Sequence, residues 1–342
     1  MRRDILLQDD KVIPAWVQPI ALLDLCHARG VALERLLVGT TLFVDQIPFH
    51  GQFISPRHYS MLLDNAERHW PGDDFAFQLG HHLANTGLGP LGSVLDHCES
   101  ADRYLDALCQ FAYLLNPLLR LRRCVSDDGQ VLLLLSSCCY LSLTPCQLRV
   151  VMTALSHLLG RVPGVTGVEG MLSIPSPANI AQYLSHIAAQ VYFDLPFDGL
   201  RISLSHQPAG AEAPLSLSQQ AARAACQTED RGPYFLLSVL RRHWLNHGEV
   251  ADLPSCAGLL ETSTATLKRR LGEQGCSFQT VLDSARREQA LIELLVHGAS
   301  IDAISEQLHF HDSSNFRRAF KRWTGMTPSL MKSAFKELAS LG

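Results

Sequence analysis

The chain has 342 residues, more than a single hydrophobic core of roughly 250–300 residues usually supports, so two domains are expected. With 47% hydrophobic and 18% charged residues it has the apolar material for packed cores, and no low-complexity tract marks it as disordered. A formal charge of −4 argues for no nucleic-acid partner by itself. The longest apolar stretch, Val131 onward through Leu143, is broken by polar residues and falls short of the roughly 20 needed to span a bilayer, so no membrane role is expected.

The charge is unevenly placed. Residues 251–342 hold 11 basic and 10 acidic side chains, leaving 18 and 23 in residues 1–250. The basic residues of the C-terminal part are clustered at Lys268-Arg269-Arg270, Arg286-Arg287 and Arg317-Arg318 with Lys321-Arg322. Clusters on helices can meet phosphates where a net charge cannot. The ten cysteines include no C-x-x-C pair, and Met1-Arg2-Arg3 precedes too short an apolar run for a secretory signal. The thiols are therefore expected to be buried and reduced in a cytoplasmic protein.

In chain order, Val17, Ile20, Ala21, Leu23 and Leu25 predict a first helix ended by Gly30. A second is predicted from Pro56 to Trp70, capped by Ser55, with Met61, Leu62 and Ala66 on its apolar face. A third spans about Asp102 to Leu115 and stops at Asn116-Pro117. The period then shortens: Leu118 to Val125, a turn at Asp127-Asp128-Gly129, and Gln130 to Cys138 make a hairpin. A helix over Gln147–Gly160, a strand over Val168–Ile174, a helix over Ala178–Val191 and a strand over Gly199–Leu204 complete an α+β domain, residues 1–206. Residues 207–233, with Pro208, Gly210, Pro214, Ser216 and Ser218, read as a linker that has room for a short helix at 217–227. Residues 234–342 read as all-α, with turns at Gly248, Glu261-Thr262, Gly275, Gly298, His309-Phe310 and Gly325.

Two segments of this region repeat one pattern. In residues 254–275 a short helix with Ala257 and Leu260 inward is followed by a tight turn, a Ser263 cap and a helix with Leu267 and Leu271 inward. That is a helix-turn-helix unit. Ser263, Thr264, Ala265, Lys268 and Arg269 are left to face outward. The side chains are short where the helix would approach base edges and long and basic where they would reach guanine or phosphate. In residues 300–325, Ser300 caps a helix with Ile301, Ile304 and Leu308 inward, His309-Phe310-His311 turns, and Asp312 or Ser313 caps a helix burying Phe316 and Phe320. Ser313, Ser314, Arg317, Arg318 and Lys321 remain available. An offset of 49 residues pairs Ser263 with Asp312, Leu267 with Phe316, Arg269 with Arg318 and Leu271 with Phe320. Phe278 to Val296 between them, as a helix about 28 Å long, could hold the units about one DNA turn apart, roughly 34 Å.

Over residues 234–336 the chain closely resembles the AraC/XylS family of bacterial transcription regulators. The residues that carry the resemblance are Arg286 in the joining helix, Ile304-Ser305, Leu308-His309-Phe310, the run Asp312 to Lys321, and Gly325-Met326-Thr327-Pro328. Ser305 stands where the family has Ala, and His309 and Glu261 stand where it often has turn Gly. The resemblance implies base-facing positions at Ala265, Lys268 and Arg269 and at Ser314, Arg317 and Arg318, with Ala265 suited to a thymine methyl. The N-terminal part is similar to the arabinose-binding-type domain of one branch of the family, through Gly72 to Gly80, Gly89-Pro90-Leu91-Gly92, Pro175-Ser176-Pro177 and Val191-Tyr192-Phe193. The resemblance implies double-stranded DNA as partner and a homodimer formed through the N-terminal domain. It leaves room for a small-molecule effector and for RNA polymerase. The alternative is an N-terminal domain that binds a protein partner instead of a small molecule.

Other signals are weaker. Gly87 to Gly92 matches G-x-G-x-x-G but follows a helix-like polar segment, so a structural loop is expected and no cofactor. His81-His82 and His309-x-His311 lack the convergent ligands of a metal site. Cys138-Cys139 with Cys146 reads as buried thiols before a redox sensor. Arg286 is given a structural role, with ion pairs to Asp283 and Glu288 as one option, and Arg287 is left open. No nucleophile elbow, P-loop or H-E-x-x-H is present, and no enzyme is expected.

Overall fold

The computed structural model describes residues 8–46, 51–126, 129–137, 143–205, 214–229, 243, 252–273 and 275–340. The expected turn residues Asp127, Asp128 and Gly248 and the pair Cys138-Cys139 lie outside these residues. The chain divides into two compact units, one comprising residues 8–123 and 130–233 and the other holding residues 234–342. Among the described residues no helix is long and apolar enough to cross a membrane.

The N-terminal unit is α+β. It opens with β1 (Ile13–Pro14), α1 (Gln18–Ala28) and α2 (Leu33–Leu36), then a 3-10 turn, β2 (Phe53–Ile54) and α3 (Pro56–His69). β1 and β2 form a small antiparallel pair, Ile13 opposite Ile54. The α1 helix ends at Gly30, whose φ of 79° suits glycine. Ser55 caps α3 by accepting from the His58 N–H, and Leu62, Leu63 and Ala66 are buried on one side. Next come α4 (Phe75–Thr86), α5 (Pro90–Asp96), α6 (Ala101–Gln110) and α7 (Ala112–Leu115). The third predicted helix is thus two, broken at Phe111. The G-x-G-x-x-G segment joins helix α4 to helix α5, with Gly89 at φ 52° as the N-cap, so it is not the strand-to-helix turn a dinucleotide site requires.

β3 (Leu119–Val125) and β4 (Val131–Ser137) form the expected hairpin, and α8 (Pro145–Leu159) follows. A capping box starts α8: Thr144 accepts from Gln147 N–H, and the Gln147 side chain accepts from Thr144 N–H. β5 (Val165–Met171), α9 (Ile180–His186), β6 (Gln190–Tyr192) and β7 (Asp198–Leu204) complete a five-stranded sheet of order β3-β4-β7-β5-β6. β7 runs antiparallel to β4 and β5, and β6 runs parallel to β5. The helix expected to reach Val191 stops at His186, because Gln190 to Tyr192 pair instead with Glu169 to Met171. The strand expected at 168–174 starts at Val165, where pairing with Leu204 begins. Val131, Leu133 and Leu135 of β4, with Leu200 and Ile202 of β7, join Leu155 of α8 in one apolar core. Arg201 and Glu169 stand opposite each other across β7 and β5 and pair there, Nε to Oε2 at 2.8 Å.

Helix α10 (Leu217–Glu229) occupies part of the segment expected as a linker. It packs on α5, where the Gln219 amide donates to the His97 carbonyl at 2.6 Å.

Three histidines from α4, α8 and α9 meet at one place. His81 Nε2 lies 3.0 Å from His186 Nδ1, the His81 and His157 rings are 5.3 Å apart, and Arg161 stands 3.1 Å from His157 Nε2. Among the described residues no group of three or more His, Cys, Asp or Glu side chains is placed to hold a metal ion. Burial, with His186 and His157 nearby, lowers the pKa of His81; burial and then Arg161 lower that of His157. Above the unfolded value of about 6.5 these rings are neutral in both states, so the N-terminal unit keeps its full stability there. As pH falls through the lowered folded values, the unfolded chain takes up protons that the folded one resists, and stability declines. Urea unfolding is expected to show a lower midpoint at acid than at neutral pH, with the difference reduced in a His81→Gln, His157→Gln chain. An undiminished difference in that chain would assign the dependence elsewhere.

The C-terminal unit is all-α over its described residues: α11 (Leu253–Leu259), α12 (Thr264–Glu273), α13 (Phe278–Leu295), α14 (Ile301–Gln307), α15 (Ser313–Thr324) and α16 (Pro328–Ser340). Among the described residues, α11, α12, α13 and α14 each begin at a capping oxygen, where backbone donors would otherwise be left unpaired. Asp252, Ser263, Ser277 and Ser300 accept from the backbone N–H three residues on. The α13 helix packs against α14, α15 and α16. Gly325, at φ 76°, ends α15, and Lys332 of α16 donates to the Gly298 carbonyl at 2.6 Å.

Candidate nucleic-acid interface

Each helix-turn-helix unit is built outward from a buried seam. In the first, Cys256 and Ala257 of α11, Leu260 of the turn, and Leu267 and Leu271 of α12 are buried. In the second, Ile304 and Ser305 of α14, Leu308 of the turn, and Phe316, Ala319 and Phe320 of α15 are buried. Period-3.6 burial on one side of α12 and α15 forces the remaining positions outward. Ser263, Thr264, Ala265, Lys268 and Arg269 are all exposed, as are Ser314, Arg317, Arg318 and Lys321, while Ser313 is half-buried.

The two units differ in their turns. The first helices and turn positions match at an offset of 48, pairing Ala257 with Ser305 and Leu260 with Leu308, whereas the second helices match at 49. One extra residue, His311, therefore sits between the second unit's turn and its cap, and that cap is Asp312, accepting from Asn315 N–H at 2.7 Å. Glu261 and His309 occupy the same turn position with φ of 50° and 55°. Thr262 and Phe310 then donate their N–H groups to the Ala257 and Ser305 carbonyls, both at 2.9 Å. A side chain in left-handed backbone costs about 1–2 kcal/mol, part of which glycine gives back as unfolded-state entropy. Glu261→Gly and His309→Gly are each expected to stabilise the unit by about 0.5–1 kcal/mol, read as a raised denaturation midpoint. A lowered midpoint would mean that the turn is held by the side chains themselves.

The cations of the outer faces are not equally engaged. Lys268, Arg317 and Lys321 have no side-chain partner among the described residues. Arg269 pairs with Glu273 one turn further along α12. Arg318 Nη2 donates to Asn315 Oδ1 at 2.5 Å. Arg322 pairs with Asp283 of α13 at 3.2 Å. Arg286 meets an aromatic ring and also feels the charge of Asp283. Its guanidinium lies 5.3 Å from the Phe310 ring centroid. Phe310 in turn contacts Phe316 and Trp323, at 5.6 and 5.9 Å between centroids. Arg286 thereby couples the joining helix to the second unit's turn, and its burial lowers its pKa. Arg287 is exposed and without a partner among the described residues. Sequence reasoning singled out neither Asn315 nor Glu273. Their only signal was the spacing, three residues before one arginine and four after the other, that lets side chains meet on a helix.

Residues 256–334 match the model of a helix-turn-helix domain, and residues 30–206 match that of the arabinose-binding domain of AraC transcription regulator, N-terminal. The ornithine utilization regulator of Pseudomonas aeruginosa is 32% identical over 168 residues, 47% of this chain and 48% of that protein. The HTH-type transcriptional regulator VqsM of the same species is 27% identical over 173 residues, 49% of each chain. The chain thus spans about half the length of these curated relatives in what it matches. The solved structure of the transcriptional regulator CdpR from Pseudomonas aeruginosa is similar at 17% identity and a TM-score of 0.41, over 92% of this chain and 98% of that one.

Proposed function

Since the chain belongs to the AraC family of transcription regulators, with an arabinose-binding-type N-terminal domain and a helix-turn-helix domain, we propose that it binds double-stranded DNA sequence-specifically by inserting α12 and α15 into successive segments of one major groove. The observation that carries this reading is the matched pair of outer faces. Lys268 and Arg269 on one, and Arg317, Arg318 and Lys321 on the other, are exposed on helices whose opposite sides are buried.

The roles divide by reach. Lys321 meets phosphate, as do the N-terminal amides beside Ser263 and Ser313, giving salt-dependent affinity that positions the helices, while Lys268 and Arg317 face the bases beside the two arginines that follow them. Arg269 and Arg318 read guanine edges, Ala265 and Thr264 meet a thymine methyl, and Ser314 lies close to the base edges. The α13 helix, 18 residues and so about 27 Å long, spaces the two readers by about one turn of duplex.

Residues 1–206 modulate this binding, through a small-molecule effector or by bringing two chains together as a homodimer, while residues 234–342 bind DNA and RNA polymerase is a further partner at the promoter. The match to an arabinose-binding-type domain supports the regulatory role. The test is selection of bound sequences from a pool of randomised duplexes by the full chain, paired with melting shifts against a metabolite panel. A shared motif of two half-sites is expected, with a metabolite that shifts both melting and DNA affinity. Recovery of no motif would overturn the DNA reading. A motif with no metabolite shift, and a protein partner that alters DNA affinity, would move the regulatory part to protein binding.

A further inference from the structure

The arginines at equivalent places in the two units are steered in opposite directions along their helices. In α12, Arg269 is held by Glu273, toward the C-terminal end. In α15, Arg318 donates to Asn315 Oδ1 at 2.5 Å, toward the N-terminal end. Asn315 is itself held: its Nδ2 donates to Asp312 Oδ2 at 2.8 Å, while its backbone N–H donates to Asp312 Oδ1 at 2.7 Å. The first unit has no counterpart, since Thr266 stands in place of Asn315 and its hydroxyl lies 2.9 Å from that of Ser263.

The chemistry of the chain Asp312–Asn315–Arg318 runs one way only. A carboxylate and a guanidinium cannot both be satisfied by a hydroxyl of fixed length or by a second carboxylate. An amide offers a donor to the first and an acceptor to the second, and turning it over would set oxygen against oxygen and N–H against N–H. The Asn315 backbone N–H holds the Asp312 carboxyl below the usual carboxylate range, so the anchor stays anionic. Arg318 has five N–H donors, and holding one of them on Asn315 leaves others for a two-pronged contact with a guanine edge. The arginine gives up less side-chain freedom on binding because it is already placed.

We infer that Asn315 is a positioning residue that, anchored on Asp312, presents Arg318 to a guanine in the second half-site. The inference rests on the DNA reading proposed above, and the two fail differently. The test uses full-length wild type, Asn315→Ala, Arg318→Ala and the double variant, with thermal melting as a check on folding. Each is titrated against the duplex that wild type recovers from the randomised pool and against that duplex changed at one base pair at a time. Arg318→Ala is expected to flatten the preference at one G·C pair and weaken binding about 10- to 100-fold. Asn315→Ala should flatten the preference at the same pair with a smaller loss, about 3- to 10-fold, because the hydrogen bond it removes is exposed. In the Arg318→Ala background, Asn315→Ala should change affinity less than about 2-fold, since the two act as one unit. Full discrimination in Asn315→Ala, or an equal loss with and without Arg318, would overturn the inference and leave the DNA reading standing. If wild type recovers no preferred duplex, the DNA reading falls, and the positioning role with it.

Discussion

A chain carrying both Arg269→Ala and Arg318→Ala is expected to lose about 2–6 kcal/mol of binding free energy on its preferred duplex, at about 1–3 for each arginine. The two effects should add. The arginines sit in separate helix-turn-helix units and share no partner, Arg269 engaging Glu273 and Arg318 engaging Asn315. The loss should fall mainly on the preferred duplex and much less on a shuffled one, because a base contact is made only by the right base. Lys321→Ala provides the contrast. Its side chain is exposed and unpartnered among the described residues, so its loss should weaken both duplexes alike and reduce the salt dependence. Gel-shift titrations at fixed salt on the two duplexes separate these outcomes. Equal loss on both from the arginine pair would make those residues phosphate contacts, and no loss would remove them from the groove.

Gly80→Ala is expected to destabilise the N-terminal unit by about 3 kcal/mol, at the upper end of what overpacking usually costs. Helix α4 crosses α8 so closely at this point that an added Cβ would lie 2.6 Å from both Thr153 Cβ and the Val150 carbonyl oxygen. The carbonyl belongs to helix backbone and cannot rotate away, so the two helices must move apart. Phe77 and Leu83 on one helix and Val151 and Leu155 on the other are all buried. Interiors packed as densely as crystals transmit such a shift. Chemical denaturation should show the transition of the N-terminal unit at a lower midpoint. An unchanged midpoint would mean that the crossing has slack.

How far the residues announced this arrangement depended on the range of the physics involved. Ser55, Ser263 and Ser300 could be placed from local rules, since a cap needs only an oxygen three residues before a backbone donor. The same is true of α12 and α15, whose buried leucines and phenylalanines recur at helical spacing. What escaped was set by pairing across the fold. Gln190 and Val191 look helical in isolation and become part of a strand because β5 supplies a parallel neighbour. The 75–86 stretch was noticed for its likeness to a known domain, but the reason for Gly80 lies 70 residues away on α8. At the interface, the exposed cations were readable as a class. Which of them is free and which is held depends on Glu273, Asn315 and Asp283, and side-chain pairing of that kind has no periodic signature.

The central claim is that one chain sets two recognition helices one duplex turn apart, and hydroxyl-radical footprinting on the recovered duplex addresses it most directly. Two protected patches on one DNA face, centred about 10–10.5 base pairs apart, are expected, together with loss of the second patch when 5 base pairs are inserted between the half-sites. A single patch, or two that survive the insertion unchanged, would contradict it.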